Sequence, residues 1–155
     1  AEALLAKIGG AYELMQGNLR RALTRQALLL QGEVAQNKLT GQVLHVRTGT
    51  LRRSINQRLF DDASGMYASV GTNVSYARAH EYGFSGTVSI KQHPRVIKAA
   101  FGKPLKAPVT QNVRAHSRHM KLPERSFLRS ALREATPRIT ASLRTAVLSA
   151  LEARQ

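Results

Sequence analysis

The chain contains no cysteine and no tryptophan, and its aromatic residues are four phenylalanines and four tyrosines. Without cysteine there are no disulfide frameworks, no thiolate zinc sites and no cysteine nucleophile. A core this poor in rings must be built from Leu, Ile, Val and Ala, a set suited to helix packing. Acid is scarce as well: 9 Asp and Glu stand against 24 Lys and Arg, for a formal charge of +15 and a pI near 11.4. Self-repulsion of that size favours a polyanionic partner or a counter-charged protein surface. No run of about 18 apolar residues is present to span a bilayer. The first ten residues carry a glutamate where a signal peptide would be basic, so the expectation is a soluble protein with no membrane partner, not secreted by that route. At 155 residues and 43% hydrophobic, the chain has the length of one domain with a real core.

Apolar positions Leu4, Ile8, Tyr12, Met15, Leu19, Leu23, Ala27, Leu30 and Val34 recur at steps of three or four and predict a first long helix over about residues 2–36. It would be about 50 Å long, with a break expected near Gly9-Gly10. A polar connection over residues 37–46 follows, then "RTGTLRRSI" (47–55), in which Thr48-Gly49 reads as a turn and Thr50 as the cap of a short helical turn. Residues 55–60 and 66–71 read as two strands of a hairpin joined by "DDASG". Residues 74–82 fit a short helix with Ser75 near its start and Gly83 as its left-handed stop.

Between Glu81 and Glu124 there is no acidic residue, while Lys91, Arg95, Lys98, Lys103, Lys106, Arg114, Arg118 and Lys121 all fall in that interval. A weak internal echo, "VSIKQHPR" against "VTQNVRAHSR", and the turn signals Gly102, Pro104 and Pro108 predict a protruding basic hairpin over about residues 87–120. The last stretch repeats Leu128, Leu132, Ala135, Ile139, Leu143, Val147 and Leu151 at helical spacing. A second long helix is expected over residues 124–153, starting at Pro123 and kinked at Pro137 rather than restarted behind a Thr136 cap. The organisation is thus one domain over 1–155: an N-terminal helix (1–37), a hairpin and short helix (47–83), a basic hairpin insertion (86–121) and a C-terminal helix (123–153). The class is α+β, a small antiparallel sheet flanked by two long helices. Helices too long for so small a sheet suggest that subunits share apolar faces.

Catalytic patterns are missing. His80-Glu81 lacks the second histidine one turn on that a metalloprotease helix needs, because Gly83 intervenes. Adjacent side chains on a helix diverge by about 100°, so the pair reads as a fastener tying the short helix to a neighbouring strand or subunit rather than as a hydrolase site. His93, His116 and His119 could supply three imidazoles to zinc, but Lys and Arg surround them and no carboxylate is near in sequence. There is no nucleophile elbow and no phosphate-binding glycine loop. The expectation is no enzyme, no cofactor and no metal. The eight cations of the hairpin suit either a phosphate backbone, bound without sequence preference, or an acidic protein neighbour.

Three motifs in order, "RTGTLRRSI" (47–55), "VGTNVSYARAHEYG" (70–83) and "LPERSFLRSALRE" (122–134), with a basic β insertion before the last, resemble the tail-completion and head-tail joining proteins of tailed bacteriophages, often labelled neck or minor tail components. The resemblance spans about residues 39–151 and rests on Gly49, Leu51 and Ser54; Gly71, Tyr76, Ala77, His80, Glu81 and Gly83; and Pro123, Arg125, Phe127 and Leu128. Many relatives carry a second proline after Pro-x-Arg; here Ser126 stands in its place, which implies a less rigid start to the last helix. The resemblance implies a structural virion protein made in the host cytoplasm, a homo-oligomeric ring, commonly sixfold, that meets neck and tail-tube proteins and has DNA passing nearby. A tail terminator or stopper of the same connector is the near alternative. A nonspecific nucleic-acid-binding accessory protein is the distant one.

Overall fold

Two helices, each far longer than the strands beside them, set the frame of the computed structural model, which describes residues 2–63 and 65–152. Helix α1 (Glu2–Glu33) is continuous for 32 residues, about 48 Å. The expected break at Gly9-Gly10 does not occur. The side chains of Leu4 and Ile8 lie outside the described residues. Beyond Glu33 the chain widens into π-type turns over Val34–Gln42, and Thr40 and Gly41 have already left helical geometry. The Lys38 carbonyl accepts from Val43 N and Leu44 N, both at 3.1 Å, and closes the helix. Much of the expected polar connection is therefore a widened helix end.

Helix α2 (Thr50–Ser54) begins after Gly49, whose φ of 73° is left-handed. Thr50 is the helix's first residue, not its cap. Strands β1 (Asn56–Asp62) and β2 (Gly65–Gly71) form the expected hairpin, pairing Asn56 with Gly71 through Asp62 with Gly65. Ser64, from the expected "DDASG" turn, lies outside the described residues. Helix α3 (Ala77–Tyr82) is shorter than expected, and no side chain caps its start.

Strands β3 (Phe84–Ile90), β4 (His93–Ala100), β5 (Lys103–Val113) and β6 (His116–Leu122) build one long two-stranded ribbon, with β3 on β6 and β4 on β5. Ile90 pairs with His116 and His93 with Val113, so the register is carried across the short gap between the two ladders. The turn is Phe101-Gly102, both at positive φ (51° and 77°). A register shift between Ile97 and Ala99 falls opposite the segment that contains Pro104 and Pro108. Prolines are tolerated there because both strands of a two-stranded ribbon are edges. The fold is α+β as expected, two long helices with small antiparallel sheets and a protruding basic hairpin, the strands forming three two-stranded pieces.

Helix α4 (Leu128–Glu152) starts five residues after Pro123, later than expected, and Ala153 lies outside the described residues. It runs through Pro137 without a restart, and Thr136 Oγ1 donates to the Leu132 carbonyl (2.7 Å) instead of capping. Pro137 and Arg133, whose carbonyl would have bonded the missing amide, are both exposed, so water can satisfy the lost partner.

The core gathers Leu30, Val34, Leu39, Leu44, Ile55, Ala77, Phe127, Ala131 and Ala135 where the end of α1 meets the start of α4. Phe127 and Val34 are its large, fully buried side chains. Ala131 and Ala135 face inward while Leu132 is exposed, which displaces the expected leucine stripe by one position at this end. Small residues at the crossing let the helix axes approach closely. Buried Lys38 joins α4 through both oxygens of Glu134, at 2.7 and 2.8 Å. Arg20 pairs with Asp61 and ties α1 to the first hairpin.

Candidate functional site

The three motifs, far apart in sequence, meet at the start of α4. A helix beginning at Leu128 leaves its first amides without intrahelical acceptors. The local sequence cannot answer them: Ser126 is followed three residues on by Arg129, so no capping box forms. Glu81, on α3, supplies the missing acceptor. Its Oε2 accepts from Phe127 N (2.8 Å) and Leu128 N (2.9 Å), and its Oε1 from Arg129 N (2.9 Å) and the Ser126 hydroxyl (2.8 Å). The carboxylate also completes the positive end of the helix dipole.

Glu81 is only 4% exposed. Burial pushes its carboxyl up, but the amides of Leu128 and Arg129, the Ser126 hydroxyl and the Phe127 amide outweigh that and hold it below the ordinary value of 4.5. Arg129 closes the site from outside: Nε reaches Glu81 Oε1 (3.2 Å), Nη2 reaches the Glu81 carbonyl (3.0 Å) and Glu124 Oε1 (2.6 Å), and the guanidinium lies 4.4 Å from the Tyr82 ring centre. Next to it, Arg125 N donates to the His80 carbonyl (2.8 Å). The His80-Glu81 pair is therefore a fastener, joined to α4. Its chemistry is that of a saturated acceptor, with no oxygen left to take a proton from a substrate.

Gly83 follows at φ 75° and ψ 169°, a region open in practice to glycine alone and different from the left-handed stop expected there. A β-carbon would also stand 3.1 Å from both Glu124 N and the Leu122 carbonyl oxygen, because the two ends of the ribbon close on each other here. Ser54 hydrogen-bonds the Leu51 carbonyl (2.8 Å) and Thr72 Oγ1 (2.6 Å), joining the first motif to the second. Ala77 and Phe127 are core, and Leu51 and Leu128 pack against it half-buried. Gly71 ends β2 in open space, where a β-carbon would meet nothing within 4 Å, and Pro123 is exposed.

Motif residues also line a cleft of about 640 Å³ beside this junction. Its floor holds Leu39, Leu44 and Leu51, its rim Arg47, Arg52, Tyr76, His80 and Arg125, and none of its lining residues is acidic. Gly49 belongs to that wall, where a β-carbon would meet Arg53 Nη1 at 2.8 Å. Tyr76 meets His80 edge-on, with ring centres 6.0 Å apart.

The eight cations of the insertion are all exposed along the ribbon, and none takes part in the ion pairs found among the described residues. Arg95 pairs with Gln111, Arg118 with Val88, Lys121 with Ser85 and Lys103 with Ala100, while Lys98 sits at the register shift and Lys106 lies in the segment facing it. Lys91 and Arg114 flank the gap between the ladders, where His93 Nδ1 bonds the Lys91 carbonyl and His116 Nδ1 the Arg114 carbonyl, both at 2.9 Å. The sequence echo is thus the near two-fold symmetry of an antiparallel ribbon about its gap. His119 pairs with Thr87, away from those two rings along the ladder, and among the described residues no group of three or more His, Asp or Glu is placed to hold a metal. None of the helices over the described residues is long and apolar enough to cross a membrane.

Sequence reasoning missed Arg129, and with it the direction of the Glu81 contact. The available signal was Ser126 with no Glu or Gln three residues on, in a chain where acids are few. Compared with protein families, with curated proteins and with solved structures, the chain matches none.

Proposed function

We propose that this protein is a structural, non-catalytic component of a tailed-phage virion, a tail-completion or neck protein that forms a ring at the head-tail junction. One observation carries the reading: the three motifs on which the phage resemblance rests form a single physical unit, knit by Glu81, Ser54 and the Arg125 amide around one cleft. Exposed apolar side chains along the long helices, among them Tyr12, Leu28, Leu29 and Leu148, suit neighbours in a ring. The charge of +15 per copy suits anionic surroundings such as DNA or acidic faces of neck and tail-tube proteins.

The test is genetic and structural. Deleting the gene from the phage that encodes it should leave filled heads and finished tails unjoined, and imaging of complete particles should locate the chain at the neck. Joined, infectious particles without the protein would overturn the reading. Particles with intact necks but misterminated tails would move it to the terminator of the same connector.

A further inference from the structure

The ribbon raises a question that neck assembly does not answer: why its tip is built as it is. Phe101 sits in the two-residue turn at φ 51°, left-handed geometry that favours glycine, asparagine or aspartate and is costly for a bulky side chain. Its ring is completely exposed and serves no packing in the chain. The turn would form better without it. Around it stand Lys98, Lys103 and Lys106, and behind them Arg95 and Arg114, in an interval with no acid.

We propose that the ribbon is a duplex-DNA-binding arm, its cationic strands lying along a groove and Phe101 entering the base stack as a wedge. Four physical points favour this ligand. A two-stranded ribbon fits a DNA groove. Exposed phenylalanine at the end of a basic element is suited to prising apart a base step. Cations run along the whole ribbon, which spans about 55 Å of contour, or about 16 base pairs; an anionic membrane would use the tip alone. Thr110, Gln111 and Asn112, on β5 between Lys106 and Arg114, offer uncharged hydrogen-bonding groups to phosphates and base edges. A second copy of the chain is a poor occupant, since the cleft beside the motif junction is itself rimmed by Arg47, Arg52 and Arg125. The arm's chemistry holds whether or not the protein forms a neck ring, so this proposal and the virion reading fail separately.

The experiment uses the purified full chain and a duplex of about 30 base pairs carrying 2-aminopurine, a base that brightens when unstacked. Binding should weaken steeply with salt, and K98Q/K103Q/K106Q should make the log-log salt slope shallower by about 2.7. Phe101→Asn removes the ring and leaves a residue suited to the turn. It should lower duplex affinity about tenfold and abolish the brightening while the salt slope stays unchanged. Equal binding to heparin and duplex with no effect of Phe101→Asn would overturn the proposal. So would a preference for single strands of the same length, or binding to anionic vesicles without binding to duplex at 50 mM salt.

Discussion

Two stretches that follow one another in the chain, α3 with Gly83 and then the ribbon over residues 84–122, are held by opposite means. In the first, one buried carboxylate answers amides 46 to 48 positions away and leaves no polar atom of its own spare. In the second, strands pair only with each other over both ladders, and the eight cations are exposed and take part in none of the ion pairs found among the described residues. An isolated two-stranded ribbon is marginal in water, whereas a saturated buried network is rigid. The difference sets one buried carboxylate, used fully inside the chain, against eight exposed cations that no acid answers. The molecule is thus divided at Gly83 between a stretch fastened to the body and a ribbon whose strands pair only with each other.

The sharpest way to break that division is Glu81→Ala. It strips an acceptor from three backbone amides and a hydroxyl at once and leaves Arg129 without its buried partner, so a loss of about 3–5 kcal/mol is expected. For a chain of this size thermal denaturation should move down by about 10 °C. Glu81→Gln is not conservative here, because its NH2 group would face donors. The same carboxylate makes a pH signature. Its folded pKa is depressed, so its contribution is complete above the ordinary value of 4.5 and is lost as pH falls below that value through the folded pKa. Denaturant titrations from pH 7 downward should show this acid-side loss in the native chain and a flatter profile in Glu81→Ala. An unchanged profile would remove Glu81 from the account.

Gly83→Ala comes next, at about 2–3 kcal/mol, since it combines a glycine-only conformation with contacts of 3.1 Å to two backbone atoms. Neither neighbour is a flexible side chain, so little can yield. Chemical denaturation of the purified variant measures it. A cost under about 0.5 kcal/mol would mean the ribbon's base is looser than its geometry implies.

These two residues mark how far the sequence can be read. Composition and periodicity give both long helices and the first hairpin, because each depends on neighbours within a few positions, and the basic ribbon, because its two strands are consecutive stretches joined by one turn. The start of the last helix is misplaced in a local reading, since its true cap comes from Glu81, and no local pattern encodes an acceptor 46 residues upstream. Thr50 is misplaced for a related reason: a backbone glycine, Gly49, takes the cap's position. That α4 accommodates Pro137 without a restart depends on solvent exposure, which periodicity does not report at that position. The fastener role of His80-Glu81 is legible by exclusion, because a second metal-binding histidine is missing; its partner is not. The ribbon's extent is legible from the missing acids, but Phe101 as its turn is not, because phenylalanine is not a turn former.

A smaller effect tests the arm's independence. Replacing residues 87–119 by Asn-Gly would join Gly86 to Met120, which already face each other, through a turn suited to two-residue hairpins. The body's melting temperature should stay within about 2 °C, because the ribbon lends it no buried apolar residue. A large drop would show that body and arm share stability after all.

The smallest effect separates residues within the motifs themselves. Gly71 and Gly83 belong to the same motif, yet a β-carbon at Gly71 would meet nothing within 4 Å, and its φ is not among the positive ones. Alanine there fits a strand end and lowers the entropy of the unfolded chain, so Gly71→Ala should change stability by no more than about 0.5 kcal/mol, in the stabilising direction if at all. If the fold is indifferent, any need for glycine at 71 must come from outside the chain, through close approach of a neighbour to the end of β2. The decisive pair of measurements is therefore stability and particle assembly on the same variant. Unchanged stability with impaired assembly would place a partner against β2, and loss of neither would reduce Gly71 to a position that matches the phage motif without serving it.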